Sequence, residues 1–142
     1  MQIACCMTAL LLCDVTAFAR IGETEAQIEN RYGKPISSSP STKGYLYNDF
    51  FIIVTFDNCV SGIETFERRN RAPLSDVEIG SLLEANGGGT KWDEPIRNRF
   101  EVHYKAKGRS AEYNTVTNTL TIADSAALNR INGRNRSLGA EP

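Results

Sequence analysis

The run Phe50-Phe-Ile-Ile-Val-Thr-Phe56 lies between two Asx pairs, Asn48-Asp49 and Asp57-Asn58. Every residue in it is β-branched or aromatic, so it gives up side-chain freedom in a helix and packs well on a pleated surface. Asn and Asp tolerate the left-handed backbone of tight turns, which marks both ends of the run as reversals. A strand with a reversal at each end is the middle of an antiparallel meander. Tyr45 and Tyr47 alternate before it and Val60 to Glu67 returns after it, so the neighbouring strands are also legible.

A helix precedes this meander. Thr24 with Gln27 three residues on reads as a capping box, in which hydroxyl and amide each satisfy an open backbone N–H. Ile28 and Tyr32 form a narrow apolar stripe, Gly33 supplies the closing left-handed residue and Pro35 prevents continuation. Ser37 to Thr42, with Pro40 inside, reads as a polar loop. A second unit follows Arg71-Ala72-Pro73. Ser75 and Glu78 form another capping box, Leu74 and Ile79 a hydrophobic staple, and Ile79, Leu82 and Leu83 a stripe that seats the helix on a sheet.

That stripe ends at Ala85-Asn86, so Gly87-Gly-Gly89 follows the C-terminus of the helix. Carbonyls and partial negative charge gather there, and the phosphate-loop spacing is absent, so these glycines cap a helix and lead to Trp92 rather than cradle a phosphate. Beyond Trp92, Phe100, Val102 and Tyr104 share one face of a strand, and Arg99, Glu101, His103 and Lys105 share the other. Ser110 to Val116 and Thr119 to Ala123 read as a hairpin turning at Thr117-Asn118, Ser125 to Ile131 as a short helix, and the following residues as a frayed polar tail. The expected architecture is α+β: two helix-plus-antiparallel-sheet units, residues 20–71 and 72–132, in one compact domain, with a tail over 133–142.

The pattern Gly22-x-Thr24-x-x-x-Ile28-x-x-x-Tyr32-Gly33-x-Pro35, then Tyr45-x-Tyr47 and Val54-x-Phe56-Asp57-x-x-Val60-x-x-Ile63, resembles the helix-plus-meander unit of the SmpA/OmlA outer-membrane lipoproteins and the β-lactamase-inhibitor-like fold. The resemblance spans residues 22–66. It implies a β-lactamase-inhibitor-like fold and a role in envelope assembly or protein binding, exercised by surfaces and not by catalytic residues. No functional residue is carried over from it.

Met1 to Leu12 holds no charged side chain, and Ala17-Phe18-Ala19 offers the small-x-small pattern of signal cleavage, which places the cut at Ala19/Arg20. The apolar run is too short to span a bilayer as a helix, so export to the periplasm or medium is expected, with no integral membrane segment after processing. The rival is a lipoprotein signal at Leu10-Leu11-Leu12-Cys13, whose bulky Leu12 sits where such signals carry a small residue. Excision removes one acid, Asp14, from 17 acidic and 16 basic residues, leaving a neutral chain with no basic surplus for nucleic acid.

Of four cysteines only Cys59 survives processing. An intramolecular disulfide is then excluded, Cys59 and His103 are too few for a structural zinc site, and the thiol is either tolerated unpaired or joins two copies, the latter making the chain a structural envelope component dimerised through Cys59. No cofactor or metal is expected. The basic stretch Glu67-Arg68-Arg69-Asn70-Arg71 could meet an acidic surface, but such runs ordinarily hydrate a linker. Tyr45, Tyr47, Phe51 and Phe56 are expected in the core. Rings among them that lie exposed together, Tyr45 and Tyr47 foremost, and Trp92 form the candidate contact surface for another protein. The enzyme alternative is a small hydrolase using Glu101 and His103 as neighbouring proton carriers. A pocket around His103 would favour it, and an apolar patch on a sheet face would favour binding.

Overall fold

The computed structural model describes residues 20–138, so the expected leader with a cut after Ala19, and its rival, lipidation at Cys13, lie outside the described residues, as do residues 139–142. Its elements are α1 (Glu25–Tyr32), β1 (Ser37–Ser38), β2 (Thr42–Tyr47), β3 (Phe50–Asp57), β4 (Val60–Arg68), α2 (Asp76–Asn86), β5 (Ile96–Arg97), β6 (Glu101–Ala106), β7 (Arg109–Asn114), β8 (Thr119–Asp124) and α3 (Ser125–Leu138). All eight strands join one antiparallel sheet in the order β1-β2-β3-β4-β8-β7-β6-β5. The α+β class is therefore as expected, and the last long strand of each unit lies at the middle of a shared sheet.

Both capping boxes form. Thr24 and Gln27 exchange side-chain and backbone bonds at the start of α1, and Ser75 and Glu78 do the same at α2. Gly33 closes α1 at φ +84°. Gly87 to Gly89 stand after the C-terminus of α2. A Cβ on Gly87 would lie 3.0 Å from both the Thr90 carbonyl oxygen and the Trp92 indole nitrogen, so a side chain there would require its neighbours to shift by a few tenths of an ångström.

Alternation sorts the sheet into two faces. On one face the row Tyr45–Ile52–Phe66–Leu120–Tyr113–Val102 crosses six strands, and all of these side chains are buried. Ile28 and Tyr32 of α1 and Ile79, Leu82 and Leu83 of α2 complete this core, each large apolar side chain contributing about 1.5–3 kcal/mol by leaving water. The two units meet at β4 and β8, where Thr65 pairs with Thr121 and their hydroxyls lie 3.1 Å apart. A second tie is buried Asn86, whose Oδ1 accepts from the Ile21 N–H at 3.0 Å while its Nδ2 donates to the Leu82 carbonyl.

The structure corrects several local expectations. Ser37–Ser38 is a short edge strand rather than loop, and β5 at Ile96–Arg97 covers the opposite edge; neither pair has an alternating apolar pattern to announce it. Asp57 ends β3 instead of turning the chain, and the reversal is made by Asn58 and Cys59 at φ +51° and +67°. Phe100 precedes β6 and is exposed, because Asn98 caps a local bend by accepting from the N–H groups of Phe100 and Glu101. Finally α3 runs to Leu138, well past Ile131 and through part of the expected polar tail. It is held at its start by Asp124, which accepts from the Ala127 N–H, and further along by Arg130 and Arg134, which both donate to Asp57.

Candidate functional site

The second face of the sheet has no helix over most of its area. Three rows cross it: Leu46–Phe51–Glu67–Thr119–Asn114–Glu101, then Gly44–Ile53–Thr65–Thr121–Glu112–His103–Ile96, then Thr42–Thr55–Ile63–Ala123–Ser110–Lys105. Only the middle of the last row, on β4 and β8, is covered. Ala123 is buried there with Ala127 of α3, and a Cβ on Gly62 would come within 2.8 Å of the Ala127 Cβ, so that glycine lets the helix approach.

Phe51 and Ile53, next to one another on this face of β3, are 41% and 47% exposed. Leu46 and Ile63 are half-buried beside them. Apolar residues exposed together on a central strand are what a binding surface provides and what a solvated sheet face avoids. Across the seam the character changes to threonine, Glu112, His103 and Glu101. The uncovered face is thus apolar on the β2–β4 side and polar on the β6–β7 side, where Glu101, His103 and Glu112 lie together and Lys105 stands further along β6.

The aromatic residues expected to make contacts are elsewhere. Tyr45 is fully buried, its ring 5.8 Å from that of Tyr32, and burial raises its phenol pKa; its hydroxyl has no partner among the described residues. Tyr47 packs half-buried on Tyr32, with ring centroids 5.2 Å apart. Trp92 is half-buried at the end of α2 and donates from its indole N–H to the Leu83 carbonyl at 2.8 Å. All three belong to the helix side of the molecule, and the apolar residues exposed together on the open face are Phe51 and Ile53 instead. Phe51 is not in the core as the sequence predicts: the parity of β3, which buries Phe50, Ile52 and Val54, turns it outward.

His103 lies half-buried on the open face. Its Nε2 is 3.2 Å from Glu101 Oε2, and its Nδ1 is 3.6 Å from Glu112 Oε2. The strand register places Glu112 directly opposite His103, a neighbour that spacing along one strand does not reveal. Neither of two surface clefts reaches this cluster. One, of about 210 Å³, is lined by Ile21, Ser61, Asp57, Arg109, Asp124 and Arg130 among others; the second, of about 370 Å³, runs from Glu25 and Lys43 to Phe56 and Cys59. In the first, Arg109 is bound to Asp124 and Arg130 to Asp57, so its charges are mutually satisfied.

Two arginines of the basic stretch at the end of β4 are also paired within the chain. Arg68 binds Glu78 and sits over the Phe50 ring, and Arg71 lies 3.6 Å from Glu67. Cys59 is exposed at the β3–β4 turn. Two successive residues at positive φ favour an Asn-Gly turn, so Cys59→Gly is expected to stabilise the fold by about 1 kcal/mol. A higher midpoint in urea under reducing conditions checks this, and an unchanged midpoint would mean that the turn carries no strain.

No helix among the described residues is long and apolar enough to cross a membrane. No family model, curated protein or solved structure matches this chain.

Proposed function

We propose that this chain is an exported, non-catalytic protein-binding module of the β-lactamase-inhibitor-like type, acting in the bacterial envelope or outside it, and that its partner docks on the uncovered face of the sheet. The observation that carries this reading is the exposed pair Phe51 and Ile53 on β3, an interior strand third from one edge of a sheet whose other face is a closed core. Six long strands at about 4.8 Å spacing make a platform roughly 25 Å wide, the scale of an ordinary protein footprint. The partner's surface would carry an apolar projection for Phe51 and Ile53 and basic groups for Glu67, Glu101 and Glu112. The enzyme alternative receives less support, because His103 and Glu101 stand on an open face with no nucleophile among their hydrogen-bond partners.

The test uses a photo-crosslinking side chain placed at position 51 or, as a control, at Val77, which is 78% exposed on α2. Position 51 is expected to yield a discrete crosslinked protein in envelope extract and position 77 none. The double variant Phe51→Glu, Ile53→Lys is expected to weaken that complex about 100-fold, as loss of an apolar hot spot does, with the circular dichroism spectrum unchanged. Equal crosslinking from both positions would refute the assignment of the face.

A further inference from the structure

We propose that Glu101, His103 and Glu112 form a binding site for a divalent transition-metal ion of the zinc class. The inference stands independently of whether the open face receives a protein.

Three features of the cluster carry it. First, the donors are of mixed chemistry. Two carboxylates alone would suit a hard cation or merely solvent, whereas an imidazole between them shifts the preference toward zinc and its neighbours in the transition series. Second, the donors are already gathered: one donor atom from each residue lies within 4.8 Å of the others. Two ligands each about 2.0 Å from a tetrahedral ion are about 3.3 Å apart, and His103 Nε2 and Glu101 Oε2 are separated by 3.2 Å. Glu112 must then swing from the Nδ1 side of the ring toward Nε2. Its exposed side chain can make that move, since it has no ion-pair partner among the described residues other than His103.

Third, the frame is rigid. Glu101 and His103 are alternate residues of β6, and Glu112 is the direct cross-strand partner of His103 on β7, so the backbone ladder fixes all three Cα positions. Asn98 donates to Glu101 Oε2 at 3.3 Å and steadies that carboxylate from outside the cluster. Three protein donors on an open face leave a fourth position for water or for a group from another molecule. The sequence signal was incomplete because one ligand is supplied by strand register.

The experiment is a zinc chloride titration of the mature chain, free of any affinity tag and carrying Cys59→Ser to remove the only thiol that survives processing. Binding is followed by calorimetry and by the ring ¹⁵N resonances of His103, the only histidine in the chain. The expected result is one equivalent bound with micromolar affinity, a shift of the His103 ring signals, and no displacement by a large excess of magnesium. Glu112→Gln should weaken binding by about tenfold, and His103→Ala should abolish it. All three side chains are at the surface, and unchanged circular dichroism establishes that the variants fold. Equal binding to His103→Ala or to Glu112→Gln, or competition by magnesium at equal concentration, would mean an adventitious ion only and overturn the proposal. So would affinity weaker than millimolar.

Discussion

Replacing Glu64 with methionine is expected to raise the free energy of unfolding at pH 7 by about 3 kcal/mol and to flatten its dependence on pH. Glu64 lies on the core face of β4 between Val54 and Ile122, in a row where alternation calls for an apolar side chain. It is 0% exposed, and neither carboxyl oxygen has a hydrogen-bond partner. The nearby Ser61 hydroxyl, which also lies 3.1 Å from the Arg20 carbonyl, offsets the effect of burial only in part. Burial therefore pushes the carboxyl up to about 8 from an ordinary value of 4.5.

The sign follows from proton linkage. Between pH 4.5 and about 8 the folded chain holds a proton that the unfolded chain has released, so stability falls as pH rises through that window and is level above it. Glu64→Met, of similar length, removes both the titration and the unsatisfied oxygens. Urea unfolding at pH 5 and pH 8.5 checks this: the wild-type chain should lose about 4 kcal/mol between the two, and the variant should lose far less. Equal slopes for both chains would show that Glu64 reaches water or a partner in the folded state.

Asp57→Ala is expected to cost roughly 2 kcal/mol, the scale of charge-assisted hydrogen bonds, and to free the second half of α3. The carboxylate is buried against α3, where Arg130 binds Oδ2 at 2.7 Å and Arg134 binds Oδ1 at 2.6 Å. The Arg130 guanidinium, with Arg134 beside it, holds this carboxyl below the usual aspartate range. Its contribution is thus present above the ordinary aspartate pKa and is lost as pH falls through the depressed folded value, opposite in sign to that of Glu64. Limited trypsin digestion reads the effect directly, since release of α3 exposes the bonds after Arg130, Arg134 and Arg136. Cleavage there should become much faster in the variant, and an unchanged rate would show that α3 is held by its apolar contacts alone. Stability of the wild-type chain is expected to peak in mildly acid solution, between the two titrations.

Both residues show where sequence reasoning stops. The helices were legible because caps, stripes and glycine stops are local signals: Thr24 with Gln27, Ser75 with Glu78, and Gly33 all act within a few residues of themselves. The central strands were legible because Phe50 to Phe56 is long and β-prone. Which face of β3 is buried was not, since both parities of that run are apolar, and Phe51 and Ile53 became visible as a surface only when the helices were placed. The cross-strand relation of Glu112 to His103 depends on hairpin register, and the Arg130–Asp57 contact joins residues far apart in the chain. Asn86 looked like a helix stop and is in fact a buried clasp between Ile21 and α2, a role with no signature beyond its amide.

The seam between β4 and β8 pairs strands that are far apart in the chain, so closing it costs more loop entropy than closing any of the hairpins. β4 occupies the middle of the sheet but waits for a partner encoded almost at the end of the chain. Until Thr119 to Asp124 arrives, the first unit displays a long naked backbone edge beside Phe66, an invitation to pairing with other molecules. A chain truncated before β8 is therefore a candidate for fibrous association, and safe maturation calls for the whole polypeptide to be present before either half settles.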